Sequence, residues 1–399
     1  MPAEPAPLRS FEKDIVVESF ELFDVPPRWL FLKVITKGGL VGWGEPVVEG
    51  RSGAVRAAVE ELGEYVIGRP ANRIEDIWQV LHRGGFYRGG PVLMSAIAGI
   101  DQALWDIKGK ALNAPVYELL GGAVRGNIAV YGWIGGDSPD GVAEAAQHRV
   151  KQGFSAVKMN ASGRMAWIDS PQRITEIAER MRLVREAVGP DIDIGVDFHG
   201  RIHRGLARRA IEALEPYAPM FVEEPVAPGH EDLLAGLAAG LRTPLATGER
   251  LYSRWDFKHV LPHIDVAQPD VSHAGGISET RRIASMAEAY DVALAPHCPL
   301  GPLALAASLH VDFASINAFI QETSLGMHYH DQYGVELLDY VANPEVFAVR
   351  EGKISLPEKP GLGVEIDEDI VRKEASRADG ENGWRNPVWR LSDGSFAEW

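Results

Sequence analysis

Three acidic residues, Asp197, Glu223 and Glu249, follow one another at equal intervals of 26 residues, each at the end of a short apolar run. Such spacing predicts matching depth on three successive strands. Converging carboxylates repel one another and lose hydration on burial, so protons are driven onto at least one of them unless a cation intervenes. A hard divalent ion satisfies oxygen ligands directly, and Mg2+ suits a site with few protein ligands and room for water and substrate. No His or Cys joins the triplet, which argues against zinc. Any one of these acids alone is read more economically as a helix N-terminal cap; the three together point to a metal. Pattern does not choose between Glu223 and Glu224, which must point to opposite sides of their strand.

Other polar groups stand where apolar runs stop: Lys158 and Asn160, His199, Asp270, His297 and Glu322. Period-two geometry aims His199 into the same space as Asp197, and Asn160 into the same space as Lys158. Two imidazoles on opposite sides of a bound ligand suit acid and base roles, and Asp270, one strand before His297, is placed to orient that ring and raise its basicity. A lone histidine is more often structural, and His297 within Ala295-Pro296-His297-Cys298-Pro299 would by itself suit a loop anchor. Cys298 is expected to be buried and inert rather than a nucleophile.

The elements that must carry these groups form a regular series. Apolar runs at Ile128–Ile134, Phe154–Met159, Ile192–Asp197, Met220–Glu223, Leu245–Gly248, Asp265–Gln268, Val292–Ala295 and Ala318–Gln321 alternate with helical patterns at the repeat length of a closed parallel barrel. An open doubly wound sheet would want a glycine-rich phosphate loop, and neither G-x-G-x-x-G nor a Walker sequence occurs. Before the series come strands at Ile15–Phe23 and Trp29–Thr36, a Gly38-Gly39 turn into Val41–Trp43, and helices at Ala54–Ile67, Arg73–His82 and from Pro91. The expected fold is therefore α/β, a TIM-like barrel over 126–344 with an α+β capping domain over 1–125, completed by 345–399. Trp384, Trp389 and Trp399 predict that the tail packs back rather than hanging free.

The chain has 399 residues, a formal charge of −16 and one cysteine. That charge repels phosphate backbones and anionic lipid surfaces, so neither nucleic acid nor membrane is an expected partner. No apolar run reaches the ~18 residues of a bilayer span, the first residues hold no apolar leader core, and a single cysteine cannot form an internal disulfide. A cytoplasmic protein is expected.

The acid triplet, the Asp270 and His297 pair, and the segments Gly195-Val196-Asp197-Phe198-His199-Gly200, Pro269-Asp270-Val271-Ser272-His273-Ala274-Gly275-Gly276 and Ala295-Pro296-His297-Cys298-Pro299-Leu300-Gly301-Pro302 resemble the mandelate racemase group of the enolase superfamily, and within it the galactonate dehydratases. The resemblance implies a (β/α)7β barrel with a capping domain, Mg2+ on Asp197, Glu223 and Glu249, His297 as the base at C2, His199 as the acid for the departing C3 hydroxyl, and Glu322 as a partner of the enediolate. It selects Glu223 over Glu224, and it leaves Lys158 and Asn160 beside the substrate. Racemases of the group carry a second lysine where this chain has Asn160, so one-directional elimination from an acid sugar is implied. Gluconate, mannonate and xylonate are the nearest alternatives to galactonate, and a non-catalytic sugar-acid binding protein is a distant one. A homo-oligomer is also implied.

Overall fold

The computed structural model describes residues 10–138, 140–327, 334–377 and 385–399. Strands β1 (Val17–Val25), β2 (Trp29–Thr36) and β3 (Val41–Gly44) form an antiparallel sheet, and helices α1 (Ser52–Gly63), α2 (Ile74–Arg83) and α3 (Pro91–Ala111) pack on it. Helix α1 stops at Gly63 rather than running to Ile67. The Val66 and Ile67 amides both return to the Gly63 carbonyl, and Gly68 donates to Val17 on β1, so the sheet captures the chain there. Helix α3 lies against β3 so closely that a Cβ on Gly42 would sit 2.2 Å from the Ala103 carbonyl oxygen, and one on Gly44 2.0 Å from that of Gly99. Only glycine permits this approach.

After the short helix α4 (Val116–Leu119), eight parallel strands follow: β4 (Asn127–Trp133), β5 (Ala156–Asn160), β6 (Asp193–Asp197), β7 (Phe221–Glu223), β8 (Leu245–Thr247), β9 (Val266–Ala267), β10 (Ala293–Leu294) and β11 (Ile320–Thr323). From β4 to β10 each pairs with the next, β11 pairs with β4, and an isolated bridge from Leu294 on β10 to Ala318, just before β11, closes the ring. The connections carry α5 (Val142–Lys151), α6 (Pro171–Val188), α7 (Arg204–Leu214), α8 (Leu234–Ala238), α9 (Arg254–Val260), α10 (Gly276–Ala289) and α11 (Pro302–Ala314). Seven helices for eight strands make a (β/α)7β barrel. Both faces of the sheet are covered, which is why its strands read as continuous apolar runs, and Tyr131, Ala156, Phe221, Ala246, Val266, Ala295 and Ile320 fill its interior.

The tail divides. Strand β12 (Lys353–Ser355) pairs antiparallel with the start of β4. Helix α12 (Glu368–Arg377) lies on the first domain, where Lys33 meets Glu368 at 2.7 Å and Arg372 meets Glu21 at 2.7 Å. The small hairpin of β13 (Trp389–Arg390) and β14 (Phe396–Ala397) instead sits at the barrel mouth, with the Arg201 guanidinium 4.6 Å from the Trp389 ring. Trp384 lies outside the described residues.

Helix α11 is buried throughout, His310 included. The Tyr117 amide donates to its Nδ1 at 3.2 Å, and burial lowers its pKa from 6.5 to about 4. Between these values the unfolded chain binds the extra proton, so stability falls as pH drops from 6.5 toward 4. The loss reaches about 3 kcal/mol. His310→Asn, whose amide oxygen can accept the same bond, is expected to flatten that part of the pH dependence of chemical unfolding; an unchanged slope would refute the assignment.

Candidate active site

Strand register sets the site. Asn160 on β5 pairs with Asp197 on β6, which pairs with Glu223 on β7, so these three stand at one level. Equal depth fails for Glu249: Glu223 is level with Ala246, and Glu249 lies beyond the end of β8. The chain turns at Gly248 (φ 148°), where a Cβ would sit 2.7 Å from the Phe257 ring and 2.8 Å from the Gln268 backbone. That turn brings Glu249 over the barrel, where its ligand atom lies within 4.8 Å of those of Asp197 and His199.

Lys158 is the hub. Its Nζ lies 2.9 Å from Glu223, 2.8 Å from Glu322 and 3.7 Å from Asp197. Against the cost of burial, Glu223, Glu322 and then Tyr131 and Asp197 hold the ammonium well above its usual pKa. Burial pushes the Glu223 carboxyl up; Lys158 opposes this, while Asp197, Glu322 and Glu249 add to it. One buried ammonium thus faces more carboxylates than it can neutralise. The excess negative charge fits a hard cation, and among the described residues Asp197, Glu249 and the His199 imidazole bring ligand atoms within 4.8 Å of one another, a group that does not include Glu223. Glu224 points the other way, onto Arg250 and the Thr247 hydroxyl.

Beyond β6 the chain enters the left-handed region at His199 (φ 49°), a strained conformation for a residue other than glycine. The turn folds His199 back, so that its amide donates to Asp197 Oδ1 at 2.7 Å and its Nε2 lies 2.8 Å from Asp197 Oδ2. Although burial opposes ionisation of Asp197, His199 and Lys158 hold that carboxyl well below its usual range. Across the mouth, His297 Nδ1 meets Asp270 Oδ2 at 2.8 Å and Nε2 lies 3.2 Å from Glu249. Asp270 is itself fixed by the amides of Ser272 (2.7 Å) and His273 (3.2 Å). Burial resists protonation of His297, but Glu249, Glu322 and Asp270 together raise its pKa to about 10. Glu322 accepts the Cys298 amide at 2.9 Å, and burial pushes the Cys298 thiol far up, so it stays protonated.

The capping domain holds the loops that carry this pair. Glu45 accepts the amides of Gly301 (2.7 Å) and Ala304 (3.0 Å) at the start of α11, while burial lifts its pKa to about 8. From α2 and α3, Trp78 donates to the Gly275 carbonyl at 2.8 Å, Gln102 to Ser272 at 3.0 Å and Trp105 to Ser278 at 2.9 Å. The cap is therefore bonded to the segments following both Asp270 and His297.

These groups line a cavity of about 510 Å3 that holds Lys158, Asn160, Asp197, His199, Glu249, His297 and Glu322 in its wall. Its size suits a small, polar metabolite. Two family models match the chain: "Mandelate racemase / muconate lactonizing enzyme, N-terminal domain" over residues 27–121 and "Enolase C-terminal domain-like" over 141–370. The chain belongs to the mandelate racemase group of the enolase superfamily. It is 54% identical to the D-galactonate dehydratase of Pectobacterium atrosepticum over 379 residues, covering 94% of this chain and 98% of that protein. Identity to the D-galactonate dehydratase of Klebsiella pneumoniae is 55%, covering 94% and 97%. Among solved structures, an enolase from Agrobacterium radiobacter with bound Na and L-malate is 33% identical, with a TM-score of 0.85 over 96% of this chain and all of that one. A mandelate racemase/muconate lactonizing enzyme-like protein from Roseovarius sp. is 31% identical, with a TM-score of 0.84 over 94% and 98%.

Within the family frame, several residues escaped the sequence reading. His273 lies 3.5 Å from Glu49, which also meets Arg28 at 3.5 Å; these three bring a cap loop onto the side of the cavity that holds His297. His273 falls inside the Pro269–Gly276 segment, but no pattern marks Arg28, Glu49 or His273 singly. Arg201 could have been reached by carrying the period-two step past His199. Asn160 donates to Asp137 at 2.9 Å, in the wall opposite His273.

Proposed function

We propose that the protein is a Mg2+-dependent D-galactonate dehydratase, removing the C2 proton and the C3 hydroxyl to give a 2-keto-3-deoxy acid and water. The observation that carries the reading is the buried Asp270–His297 pair standing across one cavity from His199, with clustered carboxylates between. A divalent cation held by Asp197, Glu223 and Glu249 would supply fixed positive charge where the enediolate's negative charge develops, and would draw the Glu249 charge away from His297. His297, freed to act as a neutral imidazole, takes the C2 proton on Nε2 while Asp270 fixes the tautomer through Nδ1. Lys158 and Glu322 face the same space, and Lys158 adds a donor for the developing oxyanion. His199 delivers a proton to the departing hydroxyl. Asn160 cannot take a proton from the opposite face of C2, which favours elimination over racemisation.

Full-length similarity to D-galactonate dehydratases supports galactonate over gluconate, mannonate or xylonate. The single buried Cys298 accords with a reducing cytoplasm, where we place the enzyme as a homo-oligomer acting on a free acid sugar. Among the described residues no helix is long and apolar enough to cross a membrane. A panel of acid sugars incubated with Mg2+ and assayed for 2-keto-3-deoxy product tests the substrate. D-Galactonate is expected to give the highest kcat/KM, by about 10-fold or more over its epimers; a higher value for another acid would replace it.

A further inference from the structure

Residues 385–399 lie beyond the end of both matched family models, yet Asn386, Pro387 and Trp399 line the cavity. Two barrel loops carry this segment. From the loop after β6, the Arg201 guanidinium packs under the Trp389 ring at 4.6 Å while its Nη1 donates to Asp137 and to the Ser162 carbonyl, each at 2.6 Å. From the loop after β5, Arg164 donates to the Arg390 carbonyl at 3.0 Å. At the other end the segment meets the cap: a Cβ on Gly50 would lie 3.0 Å from Asn386 Oδ1 and 3.3 Å from its amide nitrogen. Gly50 adjoins Glu49, which faces His273. The segment thus bridges the mouth from the His199 side to the His297 side.

On the proposed reaction, the substrate carboxylate would meet the cation held by Asp197, Glu223 and Glu249 together with Lys158, and C2 and C3 would meet His297 and His199. The remainder of the chain, from C4 outward, must face walls that those groups do not supply. We propose that residues 385–399 form that wall, with Trp399 laying its ring against the C–H faces of the distal polyol and Arg201 acting as the positioning residue that seats the hairpin. This inference rests on the proposed reaction for the placement of C1 to C3. An aromatic ring gives a large, rigid contact area at little entropic cost. The segment therefore discriminates by the length of the polyol beyond the reacting carbons.

Binding measured by calorimetry, with Mg2+ present, in the non-turning-over His297→Asn background separates this inference from the reaction itself. Adding Trp399→Ala is expected to weaken D-galactonate, with six carbons, by about 10-fold or more while leaving the shorter D-xylonate within about 3-fold, and Trp399→Phe is expected to restore most of the loss. Should Trp399→Ala fail to fold, Trp399→Leu reads the same ratio with the apolar bulk kept. Equal weakening of both acids, or no weakening of either, overturns the wall. Failure of the parent protein to bind either acid overturns the wall together with the proposed reaction. A shifted ratio in a protein whose native form dehydrates nothing would overturn the reaction and leave the wall standing.

Discussion

Replacing His297 with asparagine is expected to abolish dehydration of D-galactonate and, with it, exchange of the C2 hydrogen with solvent deuterium. The loss should be on the order of 10³-fold or more in kcat, the upper range for a general base. The fold should survive, because Asp270 keeps the amide donors of Ser272 and His273 when the imidazole is gone. His199→Asn should give a different outcome: no net loss of water, but continued exchange at C2, because the base side with its Asp270 contact is untouched. The two variants together separate proton removal from hydroxyl departure, which a single activity loss cannot do. Mass spectrometry of recovered substrate in deuterated buffer reads the exchange, and a ketone-specific assay reads the product. Dehydration by His297→Asn near the native rate would show that the base is elsewhere, and loss of exchange in His199→Asn as well would overturn the division of roles between the two imidazoles.

Much of this site was legible because barrel strands are short, buried on both faces and punctuated by polar residues at one end only. That pattern located all eight strands, and register alone then places Asn160, Asp197 and Glu223 at one level. Glu249 shows where counting residues fails. Its interval of 26 matches the preceding one, yet the strand beneath it ends early and a turn at Gly248 makes up the difference. Sequence spacing cannot distinguish a strand position from a loop that folds back to the same place. The left-handed turn at His199 is similar: period two aims the ring inward, but the return of both its amide and Nε2 to Asp197 depends on a backbone conformation no pattern announces. Long-range partners were the least legible. Glu45, Glu49 and Arg28 act on loops more than two hundred residues away, and nothing local to them signals it. Trp399 lines the cavity at the end of a segment whose Trp389 stacks on Arg201, a contact between a barrel loop and a hairpin that only the folded chain brings together.

Removal of divalent metal should silence the enzyme as completely as loss of the base. Asp197, Glu223 and Glu322 share the buried Lys158 ammonium, and Glu249 adds its charge to that felt by Glu223. Without further positive charge, the excess carboxylates keep Glu223 pushed toward its protonated form and hold a proton on His297, whose pKa stands at about 10. A base that keeps its proton cannot accept another at neutral pH. Lost charge stabilisation at the enediolate adds to this, so the fall should be on the order of 10³-fold or more. Glu223→Gln should reproduce the loss in the presence of Mg2+ by weakening the ion's hold. The decisive measurement is dehydration of D-galactonate by protein exhaustively treated with EDTA, then titrated with Mg2+. The account predicts activity at background after chelation and full recovery as one ion per chain is bound, whereas full activity in the chelated protein would contradict it.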